Sequence, residues 1–170
     1  MTRFAVREAT IADAEGIARA HTRSWQASYR GILPDSVLDL VDVGQRVTSR
    51  RQILRDETIY KLVAYETTRG EIVGFSDAGR SRQPGRWSGE LYAIYLEHHA
   101  KRYGLGEEMF DRTASWLKAN GMSSMIIWVL ENNTHARRFY EAMGGRTGTR
   151  MHSRVGGFPV VELSYVWDQI

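Results

Sequence analysis

Two glycines one residue apart, Gly104 and Gly106, stand just before an amphipathic run that predicts a helix. Glycine weakens a helix interior by about 0.5–1 kcal/mol relative to alanine, so the pair indicates either a sharp turn or a backbone that something approaches closely. Backbone N–H groups at a helix N-terminus, beside the positive charges of Lys101 and Arg102, suit a pyrophosphate. A helix that starts with a tight turn and binds no ligand is the alternative.

The two best-known phosphate motifs do not fit this segment. The Walker pattern requires Gly-Lys-Ser/Thr after four spacer residues, which this sequence lacks. The dinucleotide fingerprint requires a third glycine, and Met109 occupies that position. Glu107 and Glu108 stabilise a helix N-terminus but would repel a phosphate that they faced, so we expect both to point to solvent. The sequence therefore predicts a phosphate cradle of another kind.

A second group of residues, Asn133, Ala136 and Tyr140, follows a buried strand and lies on a predicted helix. Together with residues 101–106, this group resembles the GCN5-related N-acetyltransferase (GNAT) superfamily. In that family a Gln/Arg-x-x-Gly-x-Gly/Ala segment binds the pyrophosphate of acetyl-coenzyme A, and a later Asn-x-x-Ala-x-x-x-Tyr segment contacts the cofactor again. Both segments occur here in the same order, with Lys101 in the leading position of the first.

Three residues depart from the pattern of that family. Lys101 stands where Gln or Arg is usual, which keeps a positive charge but loses bidentate geometry. His98 replaces a common proline, and Gly145 replaces the phenylalanine that usually closes the second motif. We expect these departures to act on the affinity for the cofactor.

The resemblance implies transfer of an acetyl group from acetyl-coenzyme A (acetyl-CoA) to a primary amine of a small molecule. The chain has no cysteine, which excludes an acyl-cysteine intermediate and favours direct attack in a ternary complex. The strand before the cradle is expected to bond the pantetheine arm like an added strand. The expected cofactor-binding residues are Ile94, Tyr95, Leu96, Lys101, Arg102, Tyr103, Gly104, Leu105, Gly106, Glu107, Asn133, Ala136, Arg137 and Tyr140.

A general base is expected, because an alkyl amine of pKa near 10.4 is only about one part in 10³ free base at pH 7. Glu90 stands at the offset from Gly104 at which a general-base glutamate sits in some members of the family. A strand-edge carboxylate bonded to its neighbours is the alternative for Glu90. Glu97 and Glu66 are weaker candidates.

An acid and an oxyanion donor are expected as well. The resemblance assigns Tyr140 to protonate the departing thiolate, with a core tyrosine on the inner helix face as the alternative. The family takes its oxyanion donor from the backbone of the strand before the cradle, where a bulge interrupts pairing. In this sequence that donor is expected to be the N–H of Tyr95 or Leu96.

The acceptor side is predicted from the segment SWQASYRGILPD, residues 24–35. It resembles a subgroup of small bacterial acetyltransferases with W-x-x-x-Y-x-G-I-L-P near the N-terminus, some of which act on polyamines. We expect Trp25, Tyr29 and Arg30 to bind substrate, although Trp25 also suits an aromatic face buried in the core. Tyr92 shares the face of Glu90 by strand alternation and is expected to line the same pocket.

Hydrophobic periodicity supplies the elements that would position these residues. Strands are predicted at 3–9, 59–66, 71–78, 89–97, 122–130, 146–154 and 159–167, and helices from Thr10, over 35–55 in two pieces, over 106–119, and from Asn133 or Thr134. The strand–helix–strand crossover over 90–130 implies a parallel pair in an otherwise antiparallel sheet. The prediction is an α/β (α+β) GNAT fold: a mixed, mostly antiparallel sheet of six to seven strands, a central parallel pair splayed for the cofactor, and about four helices.

Composition limits the expected number of domains and the expected classes of partner. A chain of 170 residues with 25% charged residues and a net charge of +3 suits a single acyl-CoA N-acyltransferase domain over residues 1–170. Its only adjacent arginines are Arg50–Arg51 and Arg137–Arg138, so its basic residues are too dispersed for nucleic acid to be an expected partner. The sequence also lacks a long apolar run, so a membrane is not an expected partner either. We expect a cytoplasmic location, no metal site, and a homodimer through the C-terminal strands. A protein N-terminal acetyltransferase and a non-catalytic acyl-CoA-binding module are the competing functions.

Overall fold

The computed structural model describes residues 2–83 and 85–170. The predicted order of elements is confirmed. Short 3-10 helices at Ile11–Asp13 and His98–Ala100 accompany the following elements: β1 (Phe4–Glu8), α1 (Ala14–Tyr29), α2 (Asp35–Leu38), α3 (Val43–Arg55), β2 (Tyr60–Glu66), β3 (Ile72–Arg80), β4 (Gly89–Leu96), α4 (Leu105–Ala119), β5 (Met125–Leu130), α5 (Thr134–Ala142), β6 (Arg146–Val155) and β7 (Phe158–Trp167).

The seven strands form one sheet in the order β1-β2-β3-β4-β5-β7-β6. Every neighbouring pair is antiparallel except β4 and β5, which run parallel as predicted. Their pairing covers only Gly89 with Met125 and Glu90 with Ile126. After these two pairs the strands separate, and the gap between them opens toward the C-terminal ends of both strands.

Helices cover both faces of the sheet. On one face, Ile17 and Ala20 of α1 pack against Val63, Ile72 and Phe75. On the opposite face, one part of the apolar side of α4 packs on β1–β3. The other part of that side packs, together with α5, on β5 and β7. The two layers hold the separated strands from both sides.

A β-bulge lies at Tyr92 in β4. The β3–β4 register pairs Asp77 with Ala93 but Ala78 with Leu91, so Tyr92 is an extra residue. The extra residue shifts the alternation of side chains: Leu91 packs with the α4–α5 cluster, whereas Ala93 and Tyr95 pack against the α1 cluster. The family bulge that we expected near Tyr95 and Leu96 therefore lies earlier in the strand.

Two strand boundaries also differ from the prediction. β3 continues to Arg80, and the loop that follows is closed where Ser81 N donates to Ser88 O at 3.0 Å. β5 begins at Met125, because Met122 N still donates to Leu117 O at the end of α4, at 3.0 Å. In the part of the chain that the structure describes, no helix has both the length and the apolar content needed to cross a bilayer.

Gly145, one of the three departures from the family pattern, has a packing reason. A Cβ at this position would lie 2.6 Å from Trp167 Cζ2 and 2.9 Å from the carbonyl oxygen of Tyr140. Trp167 is buried, and its indole N–H donates to the carbonyl oxygen of Met143 at 2.8 Å. The indole fills the volume that a side chain at position 145 would require.

Gly145→Ala should lower the free energy of unfolding by about 1–3 kcal/mol, because the added methyl overlaps a fixed indole and a backbone oxygen. Urea denaturation measures this loss. In a Trp167→Leu background the same substitution should cost less, since part of the overlap is removed. An equal loss in both backgrounds would show that Trp167 is not the cause.

Candidate active site

The gap between β4 and β5 continues into a cleft of about 590 Å³, bordered by the N-terminus of α4 and by α5. The first hydrogen bond of α4 runs from Glu108 N to Gly104 O at 2.9 Å. The N–H groups of Leu105, Gly106 and Glu107 therefore have no partner within the helix, and all three residues line the cleft. This arrangement offers N–H donors and the positive end of a helix dipole to an anion.

The two glycines of this segment have different roles. Gly104 adopts the left-handed conformation, with φ of 78°, and a Cβ there would meet no atom within 4 Å. Gly106 has no such φ, but a Cβ there would lie 3.2 Å from Phe139 Cε2. Gly104 thus allows the turn, and Gly106 allows α5 to approach closely. Both explanations offered for the glycine pair hold, one for each residue.

Positive charge surrounds the bare N–H groups. Lys101, Arg102 and Arg138 line the cleft with their positive charges, and the imidazole of His135 lies beside them. Burial lowers the pKa of Lys101, and burial followed by the charges of Lys101 and Arg102 lowers the pKa of His135. Glu107 is exposed but also lines the cleft, whereas Glu108 is exposed and does not line it. The cleft is therefore electropositive where its N–H donors are free.

The backbone of β4 presents alternate residues to the cleft. Glu97 N donates to Val73 O at 2.8 Å, and in an antiparallel ladder the N–H groups of alternate residues point to the same side. The N–H of Tyr95 therefore points to β3, whereas those of Ile94 and Leu96 point toward the gap. The expectation of an oxyanion donor at Tyr95 is wrong for this reason, and Leu96 retains the required direction.

Tyr140 reaches the cleft from α5. Its side chain is 5% exposed and packs against the rings of Phe139, Tyr165 and Trp167. Among the described residues its hydroxyl has no hydrogen-bond partner, and the residue lines the cleft. Burial, and then the neighbouring Tyr29, raise the pKa of the Tyr140 phenol. The phenol therefore stays protonated at neutral pH and is free to donate.

A second cavity of about 230 Å³ adjoins the cleft on the α1–α2 face of the sheet. The two cavities share four aromatic residues, namely Tyr29, Tyr92, Tyr95 and Trp128. The hydroxyls of Tyr29 and Tyr95 lie 3.3 Å apart, and the indole N–H of Trp128 is buried without a partner among the described residues. The remaining lining residues are Trp25, Leu33, Arg82, Glu90, Leu130, Val155 and Glu162. We refer to this second cavity as the acidic-aromatic pocket.

Glu90 lies at the wall of the acidic-aromatic pocket and is 2% exposed. Its carboxylate accepts three hydrogen bonds from Arg82: from the backbone N at 2.9 Å, from Nε at 3.1 Å and from Nη2 at 2.5 Å. The Arg82 guanidinium also lies 4.5 Å from the centroid of the Tyr92 ring. Glu90 therefore lines the pocket, as a general base would, and is also bonded to a neighbouring residue, as a structural carboxylate would be.

Three residues predicted for the site lie outside both cavities. Arg137 donates to the hydroxyl of Tyr165 at 3.1 Å and to the carbonyl oxygen of Glu131 at 3.0 Å, so its side chain is held on another side of α5. Tyr103 packs edge-on against Phe4, with ring centroids 4.9 Å apart. Arg30 is exposed and pairs with Asp35 at 3.2 Å. The structure therefore places none of these three side chains in the cleft or in the acidic-aromatic pocket, contrary to the prediction.

The weaker base candidates form ion pairs elsewhere in the fold. Glu97 accepts from Arg23 at 2.6 Å, and Glu66 accepts from Arg3 at 3.2 Å. Within the described part of the chain, neither carboxylate lines the cleft or the acidic-aromatic pocket.

The lining residues that sequence reasoning missed include Trp128, His135, Arg138 and Glu162. His135 and Arg138 lie three residues apart on α5 and therefore share one face of the helix. This spacing could have indicated that Arg138, and not Arg137, faces the cleft with His135. Glu162 gives no such signal, because its position depends on how β7 pairs with β5.

Comparison with known proteins agrees with this geometry. The sequence profile of the Acetyltransferase (GNAT) family matches residues 19–145. The "Uncharacterized N-acetyltransferase YuaI" of Bacillus subtilis (strain 168) is 29% identical over 167 residues, which cover 97% of this chain and 93% of that protein.

Solved structures share the fold along nearly the whole chain. The PaiA N-acetyltransferase of Thermoplasma acidophilum, in complex with coenzyme A, superposes with a TM-score of 0.73 at 17% identity, covering 94% of this chain and 97% of that one. YncA of Salmonella typhimurium, with its cofactor acetyl-CoA, gives a TM-score of 0.67 at 18% identity, covering 97% and 93% of the two chains. Because the family profile matches most of its length, this chain belongs to the Acetyltransferase (GNAT) family.

Proposed function

We propose that this protein transfers the acetyl group of acetyl-CoA to a primary amine of a small molecule, by direct attack in a ternary complex. One observation carries the proposal: an electropositive cleft and an acidic-aromatic pocket meet at Tyr29, Tyr92, Tyr95 and Trp128. A cofactor with a pyrophosphate and an amine need sites of opposite charge that join at one point. The chain offers these two sites from opposite faces of one sheet.

The residues of the cleft fit acetyl-CoA. The free N–H groups of Leu105, Gly106 and Glu107, beside Lys101 and Arg102, suit a pyrophosphate, and the gap-facing backbone of Ile94 and Leu96 suits the pantetheine arm. PaiA and yncA, which share the fold, are solved with coenzyme A and acetyl-CoA. When bound, the cofactor would supply the acetyl group as a thioester.

Tyr140 is the general acid in this proposal. Its hydroxyl faces the cleft without a described hydrogen-bond partner, and burial keeps the proton in place. Three aromatic neighbours fix the ring of Tyr140 and so the position of its hydroxyl oxygen, and general acid catalysis requires a donor held within hydrogen-bond reach of the departing atom.

Glu90 is the general base in this proposal, acting through water in the acidic-aromatic pocket. A carboxylate has about four lone-pair positions, and Arg82 occupies three of them. The remaining position leaves Glu90 able to accept one further donor.

Three broader expectations belong to the same proposal. Residues 1–170 act as one N-acetyltransferase domain, which the single sheet supports. The cysteine-free composition favours the cytoplasm. A homodimer would use β6, which lies at one edge of the sheet and is largely exposed.

An assay of thiol release from acetyl-CoA tests the function directly. We expect release with members of a panel of small primary amines, and little with peptides that carry a free N-terminus. Release with peptides alone would favour a protein N-terminal acetyltransferase. Tight acetyl-CoA binding without release for any acceptor would favour a non-catalytic binding module.

Tyr140→Phe should lower kcat by about 10²-fold or more, because the variant keeps the ring and removes the proton donor. The KM for acetyl-CoA should change little. Tyr60→Phe is the matched control, since Tyr60 stacks on Trp116 away from both cavities. An unchanged kcat in Tyr140→Phe would remove this residue as the acid.

Gly104→Arg should abolish acetyl-CoA binding, measured by isothermal titration calorimetry, because the new side chain enters the bare N-terminus of α4. Gly121→Arg is a matched control at the opposite end of the same helix. Both glycines have positive φ, 78° and 77°, and a Cβ at either position would meet no atom within 4 Å, so the conformational cost should be similar. Retained binding in Gly104→Arg, or equal loss in both variants, would contradict the cradle.

A further inference from the structure

A buried ion pair joins α3 to the middle of the sheet. Arg50 Nη1 lies 2.6 Å from Asp77 Oδ2, and the two side chains are only 6% and 7% exposed. Neither residue lines the cleft or the acidic-aromatic pocket. Both charges lose their hydration on burial, so such a pair stabilises a fold no more than apolar side chains of the same volume. Stability alone therefore does not account for this pair.

The pair lies beside the β-bulge of β4. Asp77 is the residue of β3 at which the register changes: it pairs with Ala93, whereas Ala78 pairs with Leu91. Directly opposite residues of two antiparallel strands have Cβ atoms about 4.5–5.5 Å apart. The small side chain of Ala93 thus leaves room next to Asp77 for the guanidinium of Arg50.

Arg50 also contacts the next residue of β3 on the same face of the sheet. Its guanidinium carbon lies 4.4 Å from the centroid of the Phe75 ring, a distance typical of a cation–π interaction. Phe75 pairs with Tyr95, and the two rings are stacked with centroids 5.6 Å apart. Arg50 therefore contacts both β3 residues that lie opposite Ala93 and Tyr95, the two residues of β4 that face α1 after the bulge.

A register without the bulge would change the site. Pairing that continued regularly past Leu91 would place Tyr92 opposite Asp77, and the Tyr92 ring would take the place of the Arg50 guanidinium. The side chain of Tyr95 would turn away from α1, and its N–H would point into the gap between β4 and β5. The ion pair fits only the bulged register.

We infer that Arg50 and Asp77 are positioning residues for the reaction: their ion pair selects the bulged register of β4. That register turns the Tyr95 hydroxyl to the junction of the two cavities and the N–H groups of Ile94 and Leu96 to the gap. The inference rests on the proposed function, because it identifies what holds the parts of that site in place. A buried ion pair suits this role, since another register would leave two buried charges without partners.

Replacing both members of the pair tests this role without leaving one buried charge alone. Arg50→Met/Asp77→Leu should keep the midpoint of urea denaturation at or above that of the wild type. Amide hydrogen exchange of the free protein should report the register. The Tyr95 amide, which points to β3 in the wild type, should exchange about tenfold faster or more in the variant, and the Ile94 amide should exchange more slowly. Leu62 in β2 supplies the reference amide, whose exchange should stay unchanged.

In the thiol-release assay the same variant should lower kcat by about tenfold or more, because the reacting groups are no longer held in one arrangement. The KM for acetyl-CoA should change less, since the N-terminus of α4 lies on the opposite face of the sheet. Arg3→Met/Glu66→Leu is the matched control, because it removes an ion pair from the β1–β2 edge of the sheet, outside both cavities. This control should alter neither kcat nor the exchange of the Tyr95 amide.

A Tyr95 amide that keeps its protection in Arg50→Met/Asp77→Leu would overturn the inference, and so would equal acceleration at Leu62, which indicates general loosening. A lower denaturation midpoint with unchanged kcat would also overturn it, since the pair would then act on stability alone. The exchange measurement requires no turnover. If the wild type released no thiol, the proposed function would be wrong, and amide exchange would still decide whether the pair selects the register.

Discussion

The structure depends on an interruption of hydrogen bonding between β4 and β5. The two strands pair at only two positions and then separate, which leaves backbone N–H and C=O groups of both strands without strand partners. Unpaired backbone groups are unfavourable unless water or a ligand satisfies them. The helix layers on the two faces hold the strands apart, and the bulge at Tyr92 turns Tyr95 toward α1. The separated strands of the sheet thus form a site for an extended ligand. Packing throughout the fold offsets the unfavourable free energy of the unpaired backbone groups.

Glycine has three different physical roles around this site. Gly104 supplies a left-handed turn, Gly106 supplies space for Phe139, and Gly145 supplies space for Trp167. The last case explains a departure from the family pattern, because the volume next to residue 145 is filled from β7. The same indole packs against Tyr140, so the substitution at 145 and the position of the proposed acid belong to one packed cluster.

Charge is divided between the two cavities, with a group of tyrosines at their junction. The cleft has Lys101 and Arg102 beside free N–H donors, and the acidic-aromatic pocket has Glu90 and Glu162. Burial raises the pKa of Tyr29, Tyr95 and Tyr140, so the junction stays neutral and keeps its protons.

The sequence by itself determined the order of elements, the parallel crossover and the glycine turn at the start of α4, because each depends on local periodicity or on residues close together in the chain. It also determined the motif residues Gly104, Gly106, Asn133 and Tyr140, all of which line the cleft. Only the tertiary structure decided which arginine of α5 reaches the cleft, which N–H groups of β4 face the gap, and that Arg82 is bonded to Glu90. It alone placed Glu162 in the acidic-aromatic pocket, since that position follows from the pairing of β7 with β5, two strands separated in the chain by α5 and β6. A one-residue change of strand register, or a bulge, moves the side chains that follow it to the opposite face of the sheet. The local sequence pattern does not reveal such a change.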